Sequence, residues 1–193
     1  MARASTFVKV PMERIGVLVG PNGKTKEILE KRLQVELQID SESGDVAIML
    51  APNAEDPSKL FRAKEVVLAI GRGFSPEKAF RLIEDEDSVF QIIDLREIFG
   101  RSESDIRRLK GRIIGKEGKT RKIIEELTEA SLSIYGHTVG IIGSAEQVEI
   151  AKEAIEMLIE GRQHATVYKF LHAKRRELKK KKMEIWEKPQ GNI

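Results

Sequence analysis

The 193-residue sequence contains no cysteine. Disulfides, thiolate zinc sites and a cysteine nucleophile are thereby excluded. Its three histidines, His137, His164 and His172, are scattered. That argues against a histidine-based metal centre, and no metal or cofactor is expected. No Ser-His-Asp set or carboxylate pair can be argued from spacing, so no enzyme is expected either. No apolar run approaches the roughly 18–20 residues that cross a bilayer. Residues 1–6, Met-Ala-Arg-Ala-Ser-Thr, lead straight into a strand-like run with no apolar signal-peptide core. Asn (3) and Gln (6) are scarce while Lys, Arg and Glu abound, which points to a cytoplasmic protein from a hot environment.

Charge is abundant but unevenly placed. The 34 Lys+Arg against 31 Asp+Glu give a net charge of only +3. Residues 107–122 alone hold eight Lys/Arg and one Glu, and residues 172–188 hold eight Lys/Arg and three Glu. These islands carry +7 and +5, which leaves −9 on the other 160 residues. An acidic body with two basic islands suggests polyanion binding at defined places.

The chain also repeats itself. Gly16-Val-Leu-Val-Gly20-Pro-Asn-Gly23-Lys-Thr25 returns 95 residues later as Gly111-Arg-Ile-Ile-Gly115-Lys-Glu-Gly118-Lys-Thr120. Ile28, Leu29 and Glu30 then meet Ile123, Ile124 and Glu125. A period of this length means two copies of a small unit rather than a solenoid. Each copy opens on an alternating run, Thr6–Val10 or Ser88–Asp94, as a strand does. A helical stretch follows the glycines at 24–33 and at 119–129. Paired alternating runs come next, Val35–Ile39 with Val46–Leu50 and Leu132–Tyr135 with Thr138–Ile142, which read as hairpins. A longer helix closes each copy. Asp56-Pro57 starts the first, over 57–71, and a Ser144/Gln147 capping box starts the second, over 145–160. Ser75-Pro76 begins a further short helix before the acidic run 84–87, and residues 162–186 read as a long, basic-ended helix.

Two helices joined by Gly-x-x-Gly need a sharp turn with no side chain in the way, which also bares the backbone. The N–H groups and dipole of the second helix then favour a phosphate. Arg112, Lys116, Lys119 and Lys122 flank the second loop as candidate phosphate contacts. Ile113, Ile114, Leu132 and Ile134 form a candidate apolar wall for unstacked bases. The first loop, Gly20-Pro21-Asn22-Gly23 with Lys24, has little positive charge and is expected to bind weakly. A P-loop reading of Gly-Lys-Thr fails in both copies. Leu18 and Ile113 stand where the required first glycine belongs. Lys174, Arg175, Arg176 and Lys179 are candidate auxiliary phosphate contacts on the C-terminal helix.

The arrangement resembles the KH domain, twice over nearly the whole chain. The second copy carries Ile114-Gly115-Lys116-Glu117-Gly118, Ile124, Thr128, Ala130, Leu132 and Ile134. It departs at Arg121, where an apolar residue is usual and which here adds a cation beside Thr120 and the loop. The first copy has Leu33 and Val35 in place of Thr and Ala. The resemblance implies an α+β fold of two tandem type I KH domains, each strand-helix-helix-strand-strand-helix, with helices on one face of a three-stranded antiparallel sheet. The implied domains are 1–74 (degenerate) and 88–161 (RNA-binding). A helical, acidic linker at 75–87 and a C-terminal basic helix and tail at 162–193 complete the chain. KH loops clamp about four nucleotides of a single strand.

The runs Arg107–Thr120, Tyr135–Gly143, Ala145–Leu158 and Gly161–Tyr168 resemble the partner-of-Nob-one family of small-subunit pre-ribosomal proteins, in a short, archaeal-like form. That implies an RNA-binding assembly factor acting near the 3′ end of the small-subunit rRNA. The nuclease that matures this end and an adenosine dimethyltransferase are its implied partners. The alternative is a protein–protein scaffold whose folds no longer hold RNA.

Overall fold

The computed structural model describes residues 4–100 and 102–187. The first half runs β1 (Ser5–Lys9), α1 (Met12–Val19), a single 3-10 turn (Pro21–Gly23), α2 (Lys24–Leu33), β2 (Val35–Ile39), β3 (Asp45–Leu50), α3 (Ser58–Gly71) and α4 (Pro76–Glu84). The second half runs β4 (Ser88–Asp94), α5 (Leu95–Phe99), α6 (Glu103–Ile114), a 3-10 turn (Lys116–Gly118), α7 (Lys119–Thr128), β5 (Ser131–Tyr135), β6 (Thr138–Ser144), α8 (Ala145–Ile159) and α9 (His164–Glu187). Each half holds a three-stranded antiparallel sheet with its last strand in the middle, β1-β3-β2 and β4-β6-β5. Among the described residues no helix is long and apolar enough to span a membrane.

Local chemistry accounts for the elements. In β2, Val35 and Leu37 are buried while Glu36 and Gln38 face solvent, the period of a half-buried strand. Leu37 pairs across to Ile48 of β3, and both enter the first core. In α3, Leu60, Ala63, Val66, Val67 and Ile70 recur at helical spacing and cover that sheet. Asp56 accepts the Ser58 N–H (2.8 Å) just before this helix. Ser144 and Gln147 close the capping box on α8. The short α5 was not expected from periodicity. Asp94 caps it by accepting the Arg96 N–H (2.8 Å), and Leu95 is fully buried.

The acidic segment between the halves is not a free tether. Ala79 and Leu82 of α4 are buried in the first core. Two cations of α4, with Arg62 of α3, then tie the first half to the second. Lys78 pairs with Glu125 (2.9 Å). Arg81 donates to the Glu129 carbonyl (2.8 Å) and to Gln147 (2.7 Å). Arg62 donates to the Ser88 carbonyl (2.8 Å).

The apolar part of this joint lies on the outer face of the second sheet. β6 is buried from Thr138 to Gly143, so it is covered on both sides. Val139 and Ile141 point into the second core, while Ile142 belongs to the first. Phe74, 1% exposed, meets Phe90 edge-to-face at 6.0 Å. It lies over Gly140, where an added Cβ would stand 2.7 Å from the Phe74 ring. Ser133 donates to the Arg72 carbonyl (2.8 Å), and Tyr135 donates to Glu13 while stacking under Arg14.

Overpacking this buried contact by Gly140→Ala is expected to destabilise the chain by about 1–3 kcal/mol. Phe74→Ala is expected to remove about 3–5 kcal/mol. Chemical denaturation of the double variant tests the joint. Gly140→Ala should add less in the Phe74→Ala background than in the native chain, because the ring it strikes is gone.

Candidate nucleic-acid interface

The two loops have the same backbone. Gly20, Asn22 and Gly23 stand at φ 74°, 52° and 75°, and Gly115, Glu117 and Gly118 at 73°, 53° and 74°. The first glycine of each loop is required twice over. It is left-handed, and an added Cβ on Gly115 would lie 2.8 Å from the Thr120 backbone nitrogen. Thr25 and Thr120 are correspondingly buried beneath their loops.

Further paired contacts hold the loop helices. Glu30 accepts the Leu37 N–H (2.7 Å), and at the matching positions Glu125 accepts the Leu132 N–H (2.9 Å). Each ties the helix after the loop to the strand that follows. Arg14 donates to the Ile70 (2.9 Å) and Phe74 (2.6 Å) carbonyls at the end of α3. Arg112 does the same at the end of α8, donating to the Leu158 (3.2 Å) and Arg162 (2.8 Å) carbonyls.

The expected site residues therefore divide. Lys116, Lys119 and Lys122 are exposed, and no ion pair engages them among the described residues. With Glu117 at the tip and the opening N–H groups of α7, they make the second loop an electropositive turn. Arg112 is removed from the expected phosphate set, since its guanidinium satisfies carbonyl groups. Arg121 is half-buried against Glu125 (3.3 Å). Thr120 is buried and shares a hydrogen bond with the Tyr168 hydroxyl (2.9 Å).

The apolar wall needs correcting too. Ile113 and Leu132 are 0% and 2% exposed in the second core, so neither has a face left for a base. Ile114 and Ile134 are half-buried and keep one. Around the first loop, Pro21, Asn22 and Lys24 are exposed, and Lys24 is the one cation lining the adjacent apolar cleft.

On α9, Lys174 is partly spent on Glu177 (3.5 Å) and lies over Phe170. Lys181 is held by Glu146 of α8 (3.1 Å). Arg176 and Lys179 are exposed, and Arg175 is half-buried.

Sequence reasoning missed a basic cleft of about 490 Å³ between α6 and the β5–β6 turn. Arg96, Arg107, Lys110 and His137 line it with Glu103 and Ile106. Arg107, Lys110 and Ile114 share one helix face at i, i+3 and i+7, a spacing that was there to be read. His137, which also meets Asp94 (3.5 Å), could be placed there only by the fold.

Several known proteins resemble the chain. A family model for the second KH domain of PNO1, described as a eukaryotic type KH-domain (KH-domain type I), matches residues 89–176. A KH domain-containing protein of Methanocaldococcus jannaschii is 48% identical over 182 residues, covering 94% of this chain and 79% of that protein. The pre-rRNA-processing protein PNO1 of Coccidioides immitis is 26% identical over 161 residues, covering 83% of this chain and 63% of that protein. Dim2p of Pyrococcus horikoshii, solved in a complex with a/eIF2alpha and rRNA, superposes with a TM-score of 0.85 at 47% identity. That match covers 91% of this chain and 96% of the solved one.

Glu125 supplies a test of the scaffold beneath the loop. Burial alone would raise its pKa. The Leu132 N–H, Lys78 and Arg121 outweigh burial and hold the carboxyl below its ordinary value of 4.5. A depressed folded-state pKa stabilises the fold above the unfolded pKa, and that stability is lost as pH falls through the folded value. Glu125→Gln is therefore expected to flatten the acid limb of the stability–pH curve below about pH 4.5. Denaturant midpoints between pH 3 and pH 7 of both proteins measure it.

Proposed function

The chain belongs to the PNO1-like family of KH-domain proteins, and from that membership we propose that it is a non-catalytic, single-stranded RNA-binding assembly factor of the small ribosomal subunit. The observation that carries this reading is the second Gly-x-x-Gly turn. Its bare backbone opens a helix, and Lys116, Lys119 and Lys122 around it are exposed, with no ion pair among the described residues. That combination attracts phosphates and admits a strand closely. The rRNA in the Pyrococcus horikoshii relative's complex and the pre-rRNA-processing name of the Coccidioides immitis relative support the same substrate. Family resemblance supports a place near the 3′ end of the small-subunit rRNA, in the cytoplasm, beside a maturation nuclease and an adenosine dimethyltransferase.

In this reading residues 1–74 and 88–161 are tandem type I KH domains and 162–193 the basic C-terminal segment, whose helix is α9 and whose tail from residue 188 lies outside the described residues. Segment 75–87 joins the domains rigidly through α4. The strand crosses the loop between Gly115 and Gly118. Bases lie against Ile114 and Ile134, and phosphates against the three free lysines. Arg175, Arg176 and Lys179 are auxiliary phosphate contacts. The first domain serves as a neighbour and protein-contact surface. Its loop cleft is apolar, with Val17, Ile28 and Phe80, and Glu77 opposes its single lysine.

Lys116→Asp with Glu117→Asp should abolish binding to short single-stranded RNA while leaving the denaturation midpoint unchanged. Asp tolerates the left-handed φ of 53° at position 117. The equivalent change at Pro21 and Asn22 should alter affinity less than twofold by fluorescence anisotropy, to order of magnitude. With three lysines rather than four cations on phosphates, the log–log salt slope for a single strand should be about −2. A flat salt response, or loss of binding from the Pro21/Asn22 variant alone, would reverse the domain assignment.

A further inference from the structure

The second loop has another side. Away from the face of α6 that carries Arg107, Lys110 and Ile114, the loop and α9 enclose a cleft of about 440 Å³. Arg108, Lys116, Lys119 and Thr120 line one wall, and His164 and Tyr168 of α9 line the other. No carboxylate contributes to the lining. Both aromatic rings are held by their polar ends. Tyr168 bonds Thr120 (2.9 Å), and His164 Nε2 meets the Arg112 carbonyl (3.0 Å). They need little further ordering to receive a ligand.

Two observations connect this cleft to a strand on the loop. Lys116 and Lys119 belong to it and also to the depression on the loop's outer face that holds Lys122. A phosphate on either lysine therefore lies at the mouth of the cleft that Tyr168 also lines. The first half supplies the contrast. There α4 packs beside the loop as α9 does here, but it presents Glu77 and Phe80 among Val17, Pro21 and Ile28. The geometry is repeated while the polar, cationic lining is not, so the lining is no by-product of the fold.

We propose that this cleft is a flanking-nucleotide site. It takes the nucleotide next to those clamped in the loop, with its phosphate on Lys116 or Lys119, its base against the Tyr168 ring and Arg108 at the rim. The inference rests on the single-stranded RNA reading above and enlarges its footprint towards α9.

Fluorescence anisotropy on the full chain tests it. The probes are random-sequence RNA tetramers, and the same pool extended by two uridines at the 5′ or at the 3′ end. Extension at one end only should tighten binding by about tenfold, the effect of one stacked base. Tyr168→Ala and Arg108→Gln should each erase most of that gain and leave tetramer affinity within about twofold. Tyr168→Phe keeps the ring and should keep the gain. Arg108 is exposed and, among the described residues, pairs with Asp105 on its own helix, so its replacement leaves the packing of α9 intact. The inference is overturned by equal affinities for tetramer and both hexamers, or by a gain that survives both Arg108→Gln and Tyr168→Ala. If the native chain binds neither tetramer nor hexamer, the RNA reading fails and takes this site with it.

Discussion

Phe74 seated on Gly140 is the contact on which the arrangement of the molecule depends. A phenylalanine of this kind buries about 150–250 Å², and the ring reaches the sheet because position 140 carries no side chain to meet it. Ile142 passes through the same face into the first core, and Phe90 closes the edge of the contact. A sheet face that would otherwise meet water thus becomes an inner wall. Once it is covered, the order of the two halves, the position of α4 and the surroundings of both loops follow.

Fixing α4 has a chemical consequence. The helix that follows the closing helix packs beside the loop in each half. In the first half this is α4, pulled down by Ala79 and Leu82 and held to the second half by Lys78 and Arg81. It brings a carboxylate and a phenyl ring to the first loop. In the second half it is α9, which brings an imidazole and a phenol. The loops share backbone angles and buried threonines. Their difference as ligand surfaces comes from the two residues at the loop tip, from Lys122 where the first half has Glu27, and from the helix packed alongside.

The repeat also separates scaffold from surface. Glu30 and Glu125 tie helix to strand in both halves, and Arg14 and Arg112 cap the carbonyl ends of α3 and α8. Arg112 looked like a phosphate ligand because it precedes a Gly-x-x-Gly loop in a basic run. Its true partners lie at residues 158 and 162, out of reach of any local reading. Ile113 and Leu132 were misjudged for a related reason. Helical spacing puts Ile106, Leu109 and Ile113 on one face, but only packing shows that Ile113 is wholly enclosed in the second core. Ile114, one position on, is rotated towards the groove.

The sequence by itself determined the repeat, the element order of each half apart from α5, the shared loop conformation and the greater positive charge around the second loop. These are local matters of periodicity, capping, glycine placement and the signs of neighbouring charges. Tertiary structure decided which cations are free and which apolar residues keep a face. It also decided that α4 packs into the first core, that His137 faces α6, and that His164 and Tyr168 stand beside the second loop. Those outcomes depend on groups brought together from roughly 30 to 60 residues apart, where burial and carbonyl hydrogen bonds compete for the same side chains.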